Sequence, residues 1–321
     1  MFDVHQAMYH EQSRSKIHLD EASSLLWLPC PENLWTALTA SEWQALKSDY
    51  SIQPLHLIDQ DLSQPSINNS SFTQQLLICS LVTRLPTRED PTYPNDFLPH
   101  TMHPTVVALE EQFSLSPLAH TYLALHYTPL YDLLAIAGDT WVFAQKITPP
   151  SKFHSAQSRL KTWSSSLAAA AATQHACRIL SSTLSQPANG TAGISDYWSL
   201  YVAALICWAF GNRYQTSGGG SGTLSRNNSS TAINDSMECD DSPVHSIDDA
   251  SLKAVTYANR MLELDVEDLL TSKPSMRGDT SGVIDAVRTR LEIDGTGSKS
   301  SLLVDAIGVL GRIKEGKGKW F

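Results

Sequence analysis

Apolar residues recur every three or four positions along most of the chain, and strict alternation is nearly absent. That periodicity predicts helices rather than strands. The longest apolar run is 193–211, GISDYWSLYVAALICWAFG. On a helix, Tyr197, Tyr201, Leu205 and Trp208 share one face, and Trp198, Val202, Ile206 and Ala209 the neighbouring one. A helix apolar on most sides belongs in a protein core or in a bilayer. A bilayer span needs about 20 apolar residues, and only the stretch from Tyr197 to Phe210 runs without a charge. The segment therefore predicts a buried core helix, with no membrane. Ser195 or Asp196 is expected to cap its start and Gly211 to close it in the left-handed conformation. The rest of the chain is expected to cover this helix.

In chain order, 2–28 predicts one long helix or two, ended by Pro29 and Pro31, because proline lacks a donor and disfavours helix before it. Trp35, Leu38, Trp43 and Leu46 predict two short helices docking their tryptophans inward, with Asn33, or Thr39 and Ser41, as caps. Residues 47–70 read as polar loop. Phe72, Leu76, Cys79 and Val82 mark a helix from Ser71 to about Leu85, and the proline-rich stretch 86–105 a surface connection. A helix begins at Thr105, with Val106, Val107, Leu109 and Phe113 in register. The run Leu118–Phe143 predicts a helix kinked or divided at Pro129 and ended by Gly138, then a tight turn inserting Trp141. Ser151 is expected to cap a helix carrying Phe153, Ala156, Leu160 and Trp163. The alanine-rich stretch 167–185 is strongly helical by propensity and suited to close packing.

Residues 212–248 are rich in Gly, Ser, Asn and Asp, without apolar periodicity, and predict a disordered linker. Helix is expected to resume near Asp249, with Leu252, Val255, Ala258, Leu262 and Leu269, and again over 280–293 and 299–314. The fold class is all-α: a large multi-helix domain over 1–211, the linker 212–248, and C-terminal helices over 249–321 packing on the same domain.

Composition narrows the function. The 321 residues carry a net charge of −10, which repels phosphate backbones and speaks against direct nucleic-acid binding. The basic tail Arg312, Lys314, Lys317, Lys319 is too short to reverse this. Cys30, Cys79, Cys177, Cys207 and Cys239 form no CxxC pair and are odd in number. They read as reduced, packed thiols of an intracellular protein. The N-terminus has no apolar signal region, so the sequons at Asn69, Asn189 and Asn228 are accidents of Ser-rich loops.

Catalytic patterns are weak. Gly311–Gly318, GRIKEGKG, has the outline of a phosphate loop but ends without the hydroxyl that would hold magnesium, and it follows a helix. Gly218–Thr223 reads as a spacer. His100 and His103, with Asp96 nearby, lack a zinc ligand set. His120 and His126 point to different sides of a helix, as do His175 and Cys177. All of these, with His5 and His10, read as satisfied or solvent-facing histidines. Asp132 and Asp139 flank an apolar helix beside Trp141; Asp139 reads as a turn cap after Gly138. The tryptophans read as core rather than as a ligand groove. The Asp pairs 240–241 and 248–249 lie in or beside the linker, not in a DDxxD pattern on one helix. Ser242–Pro243 lies in an acidic stretch open to phosphorylation. No catalytic, cofactor-binding or metal residue is assigned, and the chain is read as no enzyme.

Three blocks, PCPENLWTALTASEWQAL (29–46), LHYTPLYDLLAIAGDTWVFAQKI (125–147) and GISDYWSLYVAALICWAFG (193–211), resemble in order and spacing the regulatory domain of fungal zinc-finger transcription factors. The resemblance is to those with paired two-Cys-two-His fingers and the fungal-specific transcription factor domain, or middle homology region. It covers roughly 10–211, with a looser fit beyond the linker. It implies a nuclear regulator of RNA polymerase II transcription. The partners it implies are the transcriptional machinery, co-regulator proteins and a small-molecule effector. The chain itself carries no finger, so the zinc and DNA binding implied for full-length relatives map onto no residue here. It is expected to be a fragment, a truncated gene model or a finger-less relative, reading DNA only through fingers it lacks. The alternative expectation is a helical enzyme or ligand-binding protein with a Trp-lined pocket.

Overall fold

A computed structural model of the chain describes residues 32–48, 71–82, 84–86, 102–138, 141–142, 145–146, 150–186, 194–212, 244–294 and 301–315. The fold is all-α, as the periodicity predicts. Its helices are α1 (Glu32–Trp35), α2 (Ala40–Ser48), α3 (Ser71–Val82), α4 (Pro104–Gln112), α5 (Pro117–His126), α6 (Leu130–Ala137), α7 (Pro150–Trp163), α8 (Leu167–Leu184), α9 (Ile194–Gly211), α10 (Val244–Leu262), α11 (Val266–Thr271), α12 (Pro274–Arg277), α13 (Ser281–Asp294) and α14 (Ser301–Lys314). Where a tight turn was expected around Trp141, β1 (Trp141–Val142) and β2 (Gln145–Lys146) pair antiparallel, Trp141 opposite Lys146. The predicted helix over 2–28, the loop 47–70 beyond Ser48, and most of the linker lie outside the described residues.

The core has two centres rather than one. In α9 every residue from Ser199 to Phe210 is buried, as its apolar circumference requires. The alanine-rich α8 shares the middle: it packs on α5, α9, α10 and α11, while α9 also meets α5, α6, α12 and α13. Ala168–Ala172 are all buried on α8. Small side chains let neighbouring backbones approach, so one helix can serve several partners. One apolar cluster joins α5–α9 to residues of α10, α11, α13 and α14. A second, smaller cluster unites α3, α4 and the start of α5 through Ile78, Leu81, Val82, Val106, Leu109, Ala119 and Tyr122.

The helix boundaries follow local chemistry. Pro117 opens α5 behind Ser116, whose hydroxyl accepts from the Ala119 N–H. Pro129 separates α5 from α6, and Gly138 closes α6. Ser166 caps α8, a role sequence reading left unassigned. Ser151 does not cap α7, which already starts at Pro150. Helix α10 starts at Val244 rather than near Asp249.

Two expectations are overturned. First, α1 and α2 do not turn their tryptophans inward. Trp35 is 72 % exposed, Leu38 93 % and Trp43 40 %; only Leu34 is buried. Thr39 does cap α2, the Glu42 N–H donating to Thr39 Oγ1 at 3.1 Å, and Glu42, in a role sequence reading left unassigned, accepts from the Leu38 N–H at 3.0 Å; Asn33 and Ser41 instead lie inside α1 and α2. The Lys47 ammonium lies 4.7 Å from the centre of the Trp43 ring. Apolar spacing shows that side chains share a face, not that this face meets a core.

Second, Gly211 is the last helical residue of α9, not a left-handed cap, and Ser195 and Asp196 already lie inside the helix. Glycine serves a close approach at 211. A Cβ there would lie 2.5 Å from the carbonyl oxygen of Arg277 and 2.9 Å from Thr280 Cγ2. The end of α9 thus rests directly on the backbone at the end of α12.

Candidate functional site

The most concentrated buried polar chemistry lies where α4, α5 and α8 meet. His103 caps α4, its Nδ1 accepting from the Thr105 N–H. The chain turns back after Phe113, where the Ser116 N–H donates to the Phe113 carbonyl at 2.9 Å. That turn points the Ser114 carbonyl at His120 on α5, 2.7 Å from Nε2. The alanine face of α8 brings His175 against His120, with Nδ1 facing Nδ1 at 3.3 Å. The ring planes differ by 25° and the centroids are 5.4 Å apart. The rings therefore meet edge to edge through these nitrogens, not face to face. Beyond His175, its Nε2 lies 3.4 Å from Glu110 Oε1 on α4. The Tyr127 ring lies parallel to His175, centroids 6.1 Å apart, and His126 meets Tyr127 edge-on.

Burial governs the charges. Removal from water pushes His120 down to about 4, against the opposing pull of the Ser114 carbonyl, and the Arg178 cation adds to the depression. His175 falls well below the usual imidazole range for the same first reason, with His120, Arg178 and His126 adding repulsion. Glu110 moves the other way: burial raises its carboxyl, although Arg178 opposes this. Both rings are thus held neutral, while the carboxyl takes a proton more readily than an exposed one.

The other candidate residues divide into structural roles. Asp132 is buried and accepts from Arg159 Nε at 2.8 Å and Nη2 at 2.6 Å, a bidentate pair. Trp163, fully buried, donates its ring N–H to the Tyr127 carbonyl at 2.7 Å. Trp208 is buried in the main core. Cys79, Cys177 and Cys207 are free, buried thiols, as expected of packed cysteines. Burial first, and Cys207 second, raise the Cys177 thiol far above its usual range, so it is a poor nucleophile. Gly311–Lys314 of the GRIKEGKG stretch are helical within α14. Asp249 pairs with Lys253 at 2.6 Å. His5, His10, Asp96, His100, Asp139, Gly218–Thr223, Asp240–Asp241 and Ser242 lie outside the described residues.

Sequence reading missed the meeting of His120 and His175, the Glu110 that faces them, and Arg277, a fully buried arginine whose guanidinium lies 5.8 Å from the centre of the Phe210 ring. A histidine inside an alanine- and leucine-rich helix is the available signal, since both its nitrogens need partners once buried. Among the described residues no group of three or more His, Cys, Asp or Glu side chains is placed to hold a metal ion. Among the same residues no helix is long and apolar enough to cross a membrane. In comparison with known proteins, no family model, no curated protein and no solved structure matches the chain.

Proposed function

We propose that this chain is the regulatory and interaction domain of a fungal RNA polymerase II transcription factor, working in the nucleus through protein contacts rather than as an enzyme. One observation carries the reading: the three long blocks 29–46, 125–147 and 193–211 resemble that domain in order and spacing. The all-α fold agrees with it, and the helices of the second and third blocks, α6 and α9, pack together. Zinc and DNA binding belong in this reading to fingers outside the chain. The exposed Trp35, Leu38 and Trp43 of the first block are of the residue kinds that protein partners bury. The runner-up, a helical enzyme with a Trp-lined pocket, is weakened by where the tryptophans with described side chains lie. Trp163 and Trp208 are closed into the core, Trp198 is half-buried against it, and Trp35 and Trp43 face solvent.

The test is to fuse the chain to an unrelated DNA-binding module in fungal cells and read a reporter carrying that module's site. A severalfold change in expression, in either direction, that vanishes when the core is broken by Leu205→Asp is the expected result. A fusion that accumulates in the nucleus, binds its site and leaves the reporter unchanged would overturn the reading.

A further inference from the structure

The contacts from Glu110 to Ser114 impose a proton count. The Ser114 carbonyl can only accept, so His120 Nε2 carries a hydrogen. In a neutral ring His120 Nδ1 is then a lone pair, and the hydrogen between the two Nδ1 atoms must sit on His175. That leaves His175 Nε2 as a lone pair facing the Glu110 carboxyl. Three contacts in line need three hydrogens, and two neutral imidazoles supply two. An ionised Glu110 therefore sets acceptor against acceptor at one of the contacts. The two contacts that compete for the missing hydrogen are long, 3.4 Å at Glu110 and 3.3 Å between the rings. The contact that does not compete, at Ser114, is 2.7 Å.

We propose that Glu110, His175 and His120 form a one-proton switch: a proton taken up between Glu110 Oε1 and His175 Nε2 completes the line and ties α4 to α8, and its loss opens that tie. The proton comes from solvent through Glu110, whose side chain is 40 % exposed, whereas that of His175 is 3 % exposed. Glu110 stands on α4, which gives Val106 and Leu109 to the small cluster, and His175 on α8, the helix at the centre of the main core. The tie thus governs how firmly the smaller cluster is held on the larger one. The charged and titratable groups around the line are Glu111 on α4, His126 and Tyr127 at the end of α5, and Arg178 on α8. Burial, which raises the Glu110 carboxyl and keeps the rings neutral, places the exchangeable proton at the Glu110 end.

Glu110→Gln separates the switch from the packing, because a Gln N–H fills the third contact at every pH and does not titrate. In the unaltered protein, imidazole 15N spectra should show His120 protonated at Nε2 throughout. His175 Nε2 should respond to a single one-proton transition. Hydrogen-exchange protection of the α4 amides should fall about tenfold as pH rises through that transition, the worth of one hydrogen bond. In E110Q the transition should vanish and α4 should stay protected. Three results would overturn the proposal: His120 protonated at Nδ1, α4 protection independent of pH in the unaltered protein, or the same loss of protection in E110Q. The 15N spectra need no variant, so the tautomer count is testable even if E110Q folds poorly.

Discussion

Replacing Gly211 by alanine sets two effects of opposite sign against each other. Within a helix, glycine to alanine stabilises by at most about 1 kcal/mol, because glycine loses more backbone freedom on folding. At this position the added Cβ would lie 2.5 Å from the Arg277 carbonyl oxygen and 2.9 Å from Thr280 Cγ2. The first neighbour is backbone and cannot rotate away. It also accepts the buried Tyr257 hydroxyl at 3.3 Å, so moving it disturbs a second contact. Overpacking of this kind costs about 1–3 kcal/mol, enough to outweigh the gain. G211A is therefore expected to destabilise by about 1–2 kcal/mol and to lower Tm by about 2–6 °C for a domain of this size. Gly308 in α14 is the internal control. A Cβ there meets only Arg312 Nη1, at 3.6 Å, the far end of a flexible side chain. G308A is expected to stabilise by about 0.5–1 kcal/mol. Urea unfolding of both variants, followed by far-ultraviolet circular dichroism, reads the signs directly. If G211A proved as stable as the unaltered protein while G308A behaved as expected, the close approach of α9 to the backbone at Arg277 would be wrong.

Two further outcomes rest on buried charge. Arg159→Met removes the bidentate guanidinium from the buried Asp132 carboxylate and is expected to cost about 3 kcal/mol. Asp132→Asn should cost only about 2 kcal/mol, because the half-exposed Arg159 cation can turn to water; thermal melts giving the reverse order would refute this. Acid stability should follow the histidines: with His120 held at about 4 rather than 6.5, the unfolded chain binds a proton between those values that the fold refuses. Stability is thus fully present above pH 6.5 and falls as pH drops toward about 4, by about 3 kcal/mol from this ring. His175 adds to the loss. Glu110, raised by burial, offsets part of it by protonating first in the fold; urea midpoints that stay constant from pH 7 to 4.5 would contradict the burial of the pair.

What could be read from the sequence, and what could not, follows from the range of each interaction. Helices and their inward faces are set by spacing within a few residues. Hence α5 and α6 break at Pro129, where the pattern allows a kink or a division, and α9 is buried all round from Ser199 to Phe210. A glycine after an apolar run has two physical uses, a left-handed cap and a close approach, and only the Arg277 carbonyl, contributed from beyond the linker, distinguishes them at Gly211. The outward tryptophans of α1 and α2 fail for the same reason, since a face needs something to meet. The candidate site is the extreme case, because the contacts of His175 with His120 and with Glu110 both cross between helices. His120 and His175 stand 55 residues apart, and neither helix alone says what its histidine faces. One inference was nonetheless available. LAHTYLAL and ATQHACRIL place His120 and His175 in helices otherwise fit for burial. A buried imidazole must satisfy two nitrogens, so two such histidines on separate core helices are each other's most economical partners. Their meeting then forces the proton count, and the proton count makes Glu110, which has no motif of its own, the residue on which the switch turns.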